Sequence, residues 1–359
     1  MNQPQLRFQE FNEDWEKEKL GTVTEKISSG KSKSKELEGD FALYGSTGII
    51  GYSNSFDYSG KKILIARVGA NAGSLYKVEG NYCVTDNTLI LDLFFSLDVE
   101  FIYNYLLKEN LNKLVFGSGQ PLITGGQLKS LEITLPTLPE QQKIATFLTA
   151  VDEKVQTLQK KKILLEQYKK GVMQKLFSQQ LRFKDVDSVD FPDWEEKKLG
   201  GIAEKKSSNI AANKIEENIG NYVIYGASGI LKKIDFYIEE SDYISIIKDG
   251  AGVGRIFFCS GKSSVLGTME ILKPKINLNT YFLYCLLYNI NFTKYITGST
   301  IPHIYFKDYK NEKCSIPSLP EQTAIANFLL SLDKKIKETT QQITQTQQWK
   351  KGLLQKMFC

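Results

Sequence analysis

Residues 138–177 read LPEQQKIATFLTAVDEKVQTLQKKKILLEQYKKGVMQKLF, and residues 319–358 read LPEQTAIANFLLSLDKKIKETTQQITQTQQWKKGLLQKMF. The two stretches are identical at 17 of 40 positions and align without a gap. Both begin with Leu-Pro-Glu-Gln, in which proline suits the first turn of a helix and glutamate favours its positive end. We therefore predict a long helix in each stretch, and we expect the chain to contain an internal repeat.

The repeat extends through the rest of the chain. Further pairs of matching stretches are YGSTGI (44–49) with YGASGI (225–230), VGANAGSLY (68–76) with DGAGVGRIF (249–257), GSGQPLI (117–123) with GSTIPHI (298–304), and QLRF at 5–8 with QLRF at 180–183. The first three pairs share an offset of 181 residues with the two long stretches. The chain is therefore one unit of about 180 residues written twice.

Composition sets the broad class. A chain of 359 residues with 42% hydrophobic and 24% charged residues is ordinary for a globular protein with room for two domains. No apolar run approaches the roughly 20 residues of a membrane span, and the first residues do not resemble a secretion signal. The sequence therefore predicts a cytoplasmic protein with no membrane association. Its five cysteines, without a CxxC pair, predict reduced thiols. They are Cys83, Cys259, Cys285, Cys314 and Cys359.

Each repeat has two parts. The first is rich in Gly, Tyr, Ser and Asn and contains short β-type runs such as KKILIARV (61–68) and DYISIIKD (242–249), which predicts an α/β or α+β domain with many loops. Residues 99–116 and 278–296 are predicted to form one amphipathic helix per domain. The predicted boundaries are 1–137 for the first globular domain, 138–179 for the first helical region, 180–318 for the second domain and 319–359 for the second helical region.

Apolar residues in the two long stretches step by four and three residues, which indicates a narrow seam facing a partner helix. The assigned seam positions are Ile144, Leu148, Val151, Val155 and Leu158, followed in the second copy by Ile325, Leu329, Leu332, Ile336 and Ile343. The alternative is an ordinary amphipathic helix packed on its own domain. QLRF follows the first long helix directly, so by pseudo-symmetry the QLRF at 5–8 should dock at the end of the second. The two helices are therefore predicted to run antiparallel as a coiled coil, with one globular domain at each end.

The tandem layout, the LPEQ-type entry and the KKGLLQKMF-type exit closely resemble the specificity (S) subunit of type I restriction–modification systems, over the whole chain. The resemblance implies a non-catalytic bacterial subunit whose two target-recognition domains bind the two halves of a split, asymmetric site in double-stranded DNA. It implies partners as well: two methyltransferase (M) subunits docked on the helices and restriction (R) subunits recruited through them. S-adenosylmethionine, ATP and Mg are then expected on those partners, with no cofactor on this chain. Such a protein would lie with the nucleoid when on DNA.

Base recognition needs exposed polar side chains on loops where glycine lets the backbone approach the duplex. The candidates are Tyr44, Ser46, Thr47, Arg67, Asn71, Ser118, Gln120, Tyr225, Ser228, Lys248, Arg255, Ser299, Thr300 and His303, with Lys31, Lys33, Lys205 and Lys206 as candidate phosphate contacts. The formal charge is +5, and the two helical stretches hold eight Lys against four acids and six Lys against three, or +7 together. The rest of the chain is therefore at about −2, and its own attraction for phosphate should be weak.

Two other classes were weighed. A coiled-coil adaptor whose globular ends bind proteins would share the same layout. A nucleotide-using enzyme is disfavoured, because SGKS at 29–32 and 260–263 lacks the first glycine of a phosphate-binding loop and GAGVGR at 250–255 ends in arginine and precedes a β-type run. With a single histidine, His303, neither a histidine metal site nor a Ser-His-Asp triad is expected.

Overall fold

The computed structural model describes residues 3–33, 36–117, 119, 121–275 and 277–359. The chain forms two compact units, of which unit 1 comprises Met1–Lys160 with Thr340–Cys359 and unit 2 comprises Lys161–Thr339. Each unit therefore combines one predicted globular domain with parts of both helical regions. Within the described part of the chain, none of the helices combines the length and apolar character needed to cross a bilayer.

Unit 1 contains ten of the described strands and most of three helices. The strands are β1 (Glu16–Lys19), β2 (Thr24–Ser29), β3 (Phe41–Gly45), β4 (Gly48–Ser53), β5 (Tyr58–Ser59), β6 (Lys62–Ala66), β7 (Leu75–Val78), β8 (Asn81–Val84), β9 (Thr88–Leu93) and β10 (Glu132–Leu135). The helices are α1 (Val99–Glu109), α2 (Gly125–Lys129) and the first part of α3 (Leu138–Phe177).

Unit 2 repeats this order with small changes. Its described strands are β11 (Glu195–Lys198), β12 (Ala203–Ser207), β13 (Tyr222–Gly226), β14 (Gly229–Ile234), β15 (Tyr243–Ile247), β16 (Ile256–Cys259), β17 (Ser263–Val265), β18 (Met269–Pro274) and β19 (Lys313–Ile316). Its helices are α4 (Leu199–Ile202), α5 (Thr280–Tyr288), α6 (Phe306–Tyr309) and the first part of α7 (Leu319–Met357).

The two units share one sheet plan. A four-stranded sheet has the order β2-β9-β6-β7 in unit 1 and β12-β18-β15-β16 in unit 2. A second sheet has the order β4-β3-β8-β5 or β14-β13-β17, and in each the pair β3–β8 or β13–β17 is parallel. A two-stranded ribbon, β1-β10 or β11-β19, leads into the long helix. The repeat in sequence is therefore a repeat in topology, which confirms the predicted duplicated α/β fold.

The central strand of each four-stranded sheet is buried on both faces, because each face meets a different core. In β6, Ile63 and Ile65 pack into the core that contains α1, whereas Leu64 packs against the second sheet. In β15, Ile244 and Ile246 pack toward α5, whereas Tyr243 packs toward the second sheet. Alternation of side chains along a strand therefore explains why these runs are almost wholly apolar.

The predicted amphipathic helices are shorter than the segments that suggested them. Helix α1 ends where Asn110 adopts a left-handed conformation with φ 52°, and a 3-10 turn then covers Leu111–Leu114. Helix α5 stops at Asn289, and the side chain of Asn291 caps a second 3-10 turn. Both breaks occur at asparagine, which favours caps and turns over helix interiors.

In each unit the start of one long helix packs beside the end of the other. The core of unit 1 contains Ile144, Leu148 and Val151 of α3 together with Leu353 and Met357 of α7. The core of unit 2 contains Ile325, Leu329 and Leu332 of α7 together with Val172, Met173 and Leu176 of α3. The helix segments are therefore antiparallel within each unit, as predicted.

The predicted seam is also part of the globular core. Val155 and Leu158 are buried, while Ile336 and Ile343 near the middle of the second helix are only partly buried. The buried half of each seam shares its core with α1 or α5 and with the central strand. Both interpretations offered by the sequence, a partner helix and a home domain, thus hold for the same side chains.

Candidate nucleic-acid interface

A buried ion pair attaches the start of α3 to the globular part of unit 1. Glu140, only 1% exposed, accepts hydrogen bonds from Arg7 Nε and Nη2 at 2.7 and 2.8 Å. Trp15 Nε1 lies 3.4 Å from the same carboxylate. The hydrogen bond to Glu140 raises the pKa of the Arg7 guanidinium, so the pair stays charged. These three side chains, named here the clamp, fix the direction in which the helix leaves the domain.

Unit 2 contains the same clamp. Arg182 Nε and Nη2 donate to the fully buried Glu321 at 3.1 and 2.8 Å, and Trp194 Nε1 donates at 3.1 Å. The three members of each clamp come from the QLRF, DW and LPEQ motifs of their own repeat. The sequence pointed to these motifs by repeating them but gave no sign that they meet.

The glutamine of each LPEQ motif ties the long helix to the helix of the globular domain. Gln141 Oε1 accepts from the backbone N–H of Asp98, the residue that caps α1, at 3.1 Å. Gln322 Oε1 accepts from the backbone N–H of Asn279, which caps α5, at 2.9 Å. The LPEQ motif is therefore a docking element as well as a helix start.

In unit 1 two of the predicted DNA-binding loops lie side by side. The backbone N–H of Gly69 donates to the carbonyl of Pro121, and that of Ile123 donates to the carbonyl of Arg67, both at 2.9 Å. Gly69 has a φ of +78°, a conformation that glycine adopts without strain. The loop of RVGANAG is thus joined to the loop of GSGQPLI.

The corresponding loops of unit 2 are joined in the same way. The N–H of Gly250 donates to the carbonyl of Pro302, and that of Ile304 donates to the carbonyl of Lys248, both at 2.9 Å. The loop of KDGAGVGR turns through Gly250, Gly252 and Gly254, all at positive φ. The offset of 181 residues that aligns the sequences therefore also aligns these two contacts.

The basic segment after β2 belongs to the same group of loops. Arg67 Nη1 donates to Ser29 Oγ at 3.2 Å, and the N–H of Gly30 donates to the carbonyl of Thr88 at 3.0 Å. The next side chains that carry charge, Lys31 and Lys33, are exposed. A cleft of about 730 Å³ opens here, lined by Lys26, Ser28, Ser29, Gly30, Lys31, Asp57 and Tyr58.

The two candidate lysines of unit 2 are instead engaged with buried carboxylates. Lys205 Nζ lies 3.1 Å from Glu270, and Lys206 Nζ lies 2.6 Å from Glu239. Burial raises the pKa of Glu239, but hydrogen bonds from Lys206 and Lys273 outweigh it and leave the pKa lowered. Each lysine would have to give up or share a carboxylate to hold a phosphate.

The hairpin tips divide into buried and exposed positions. Tyr44 is half-buried and Tyr225 is buried, and both pack between the two sheets of their unit. Tyr76 donates to the carbonyl of Ser46 at 3.0 Å. Only Thr47 and Ser228 project freely at the tips, so the two tyrosines serve the core.

The remaining candidates lie on the outer face of the loops. Asn71, Arg255, Ser299 and Thr300 are exposed, whereas His303 is half-buried with its ring 4.9 Å from that of Tyr305. Ser118 and Gln120 lie outside the described residues. The structure thus gathers most of the predicted residues into one set of adjoining loops per unit.

Two α/β units of one plan, each built on a pair of antiparallel long-helix segments and each carrying its own glycine-rich loops, define a tandem-duplicated protein with paired long helices. Residues 12–167 and 192–347 match the family described as the type I restriction modification DNA specificity domain. These matches cover most of the chain, so the chain belongs to this family, that of the specificity subunits of type I restriction–modification systems.

Individual relatives agree with this assignment. The chain is 26% identical to the type I restriction enzyme MjaVIII specificity subunit of Methanocaldococcus jannaschii, over 95% of this chain and 91% of that one. It is 28% identical to a putative type I specificity subunit of Haemophilus influenzae, S.HindORF215P, over 82% and 81%. The crystal structure of the type I S subunit from M. genitalium has the same fold, with a TM-score of 0.71, 22% identity and 99% coverage of both chains. These comparisons give no support to the protein-binding adaptor.

Proposed function

We propose that this chain reads a bipartite, asymmetric site in double-stranded DNA, with one half recognised by each unit. In this proposal the long helices set the spacing between the halves and dock two methyltransferase subunits, through which the restriction subunits join. Two related domains on antiparallel helices would meet opposite strands, as two-fold protein dimers do on palindromes.

The observation that carries the proposal is that the framework repeats while the loops differ. The clamp and the two loop-joining hydrogen bonds recur at equivalent positions of both units. At loop positions separated by the same offset, Arg67 faces Lys248 in the alignment and Asn71 faces Gly252. A common framework suits one type of partner at two sites, whereas different loop side chains suit two different half-sites.

Catalysis is proposed to belong to the partner chains. Methyl transfer to adenine would use S-adenosylmethionine on the methyltransferase subunits, and DNA translocation and cleavage would use ATP and Mg on the restriction subunits. The chain contains no Asn/Asp-Pro-Pro-Tyr/Phe tetrapeptide of the kind expected in an adenine methyltransferase. Its own contribution is then the choice of sequence.

Charge distribution supports a role that needs partners for tight binding. Because the globular parts together carry about −2 and the helical stretches +7, few phosphate contacts can come from the loops alone. We expect the free chain to bind DNA weakly and the complex with methyltransferase to bind it tightly and with sequence preference.

A domain exchange tests the division between the two units. Residues 1–137 are replaced by the equivalent segment of another member of the family, and methylated adenines are mapped genome-wide in cells with the parent chain, the hybrid or neither. We expect one half of the methylated site to change and the other to stay. A change in both halves together would contradict the proposal, as would methylation that persists without the chain.

A further inference from the structure

The four arginines of the chain fall into two pairs. Arg7 and Arg182 belong to the clamps, where a buried carboxylate neutralises each of them. Arg67 and Arg255 lie in the glycine-rich loops of units 1 and 2. The loop arginines are therefore the guanidinium groups that the framework does not use.

Arg67 is half-buried without an anionic partner among the described residues. Its one side-chain hydrogen bond is to a neutral hydroxyl, Ser29 Oγ, at 3.2 Å. Its Nε is buried and has no acceptor in the described part of the chain. A partly desolvated cation is stabilised by a charged or strongly accepting group, and this one lacks it. The site is therefore short of acceptors by construction.

The position of Arg67 is fixed by the backbone on both sides. Its N–H donates to the carbonyl of Asn87, and its carbonyl accepts from the N–H of Ile123, both at 2.9 Å. Ser29 then holds the guanidinium from a third direction. A side chain fixed in this way presents its donors at one angle, which suits recognition of a shape more than general attraction.

We propose that Arg67 is the residue of unit 1 that selects guanine at one position of its half-site, donating from its guanidinium to O6 and N7 in the major groove. This inference rests on the function proposed above. The planar fork of arginine matches the two acceptors of guanine, whereas a phosphate contact requires only a positive charge. Exposed and mobile lysines such as Lys31 and Lys33 fit the phosphate role better.

The equivalent position of unit 2 holds a different group. Lys248 occupies it, with its Nζ 3.9 Å from Asp249 Oδ2. An ammonium partly balanced by a carboxylate cannot offer the same fork. Unit 2 therefore does not read a guanine by this route, and the two half-sites differ at the matching position.

The test compares Arg67→Lys, which keeps the charge but loses the fork, with Lys31→Ala, which removes an exposed charge nearby. The complex with methyltransferase is titrated with its mapped duplex and with duplexes in which each G·C pair of the half-site read by unit 1 is replaced in turn. We expect the parent chain to prefer the mapped duplex over one of these by about 10- to 100-fold, and Arg67→Lys to bring that ratio close to one. Lys31→Ala should weaken all duplexes alike and keep the ratio.

The ratio is measured between duplexes with the same protein, so a variant that folds incompletely still gives a valid answer. If Arg67→Lys weakens every duplex equally, or leaves every affinity unchanged, Arg67 does not read a base and the inference is wrong. A parent complex that prefers no sequence would instead overturn the proposed function, and this inference with it.

Discussion

The backbone N–H of Leu6 donates to the carbonyl of Lys356 at 2.9 Å, although the two residues lie near opposite ends of the chain. The matching bond in unit 2 joins Leu181 to Lys175 at 3.1 Å, and there the chain runs continuously between them. Unit 1 thus reproduces with two separate segments what unit 2 makes with one.

This equivalence predicts that the chain tolerates circular permutation. Joining Cys359 to Gln5 through a single glycine and starting the new chain at Gln180 gives unit 1 the connection that unit 2 has now. Glycine is needed because the equivalent residue, Gln179, has a φ of +59°, which the natural Pro4 cannot adopt. We expect a melting temperature close to that of the parent chain.

The control for the permutation is a chain opened within the buried strand Tyr243–Ile247, which should not fold. A glycine-linked permutant that melts as poorly as this control would show that the two junctions are not equivalent.

The clamp predicts a large cost for losing one partner. Arg7→Ala leaves the buried carboxylate of Glu140 unpaired, so we expect the free energy of unfolding to fall by about 3–5 kcal/mol in urea denaturation. Lys143→Ala removes an ion pair with Glu10 in which both side chains are about half exposed, and it should change stability little. The prediction is wrong if the two variants unfold at the same urea concentration.

Ion pairs between the long helices predict rescue by charge reversal. Lys350 Nζ lies 2.7 Å from Asp152 in unit 1, and Lys169 Nζ lies 2.5 Å from Asp333 in unit 2. Asp152→Lys sets two cations against each other in a partly buried contact and should cost about 1–3 kcal/mol, of which Asp152→Lys with Lys350→Asp should recover a part. Additive effects in the double-mutant cycle would mean that the contact carries no coupling.

Two helix glycines predict a gain in stability. A Cβ built at Gly171 or Gly352 meets nothing within 4 Å, and both lie inside long helices. Glycine there costs roughly 0.5–1 kcal/mol relative to alanine, so each substitution should raise the free energy of unfolding by about that amount. Gly73→Ala is the contrasting variant, since its Cβ would lie 2.6 Å from Asn112 Oδ1 at a φ of +91°, and it should destabilise. A helix variant that loses stability would refute this reasoning.

The sequence predicted the duplicated fold, both long helices and their direction, because these follow from periodicity and from the order of repeated motifs. It assigned Glu140 and Glu321 to the helix dipole and did not predict their pairing with Arg7 and Arg182. Co-occurrence of motifs shows that they are retained together, but contact between residues more than a hundred positions apart depends on the sheet that lies between them.

The candidate interface was predicted as loops more successfully than as side chains. Gly69 and Gly250 indicated tight turns, and the turns are there. Whether a polar residue in such a loop faces outward depends on neighbours that composition does not reveal. Tyr44 and Tyr225 turned inward because the gap between two sheets accepts a large aromatic ring, and Lys206 found a buried carboxylate.

Because the core of unit 1 includes Leu353, Met357 and Phe358, the part of the protein that a ribosome makes first is completed last. Residues 161–339 form a continuous segment and can fold while synthesis continues, whereas the earlier domain must wait with its apolar surface open until the final helix emerges. A chaperone that shields this surface would then act during the interval between the two events, and translation speed over the last quarter of the message would set how long that interval lasts.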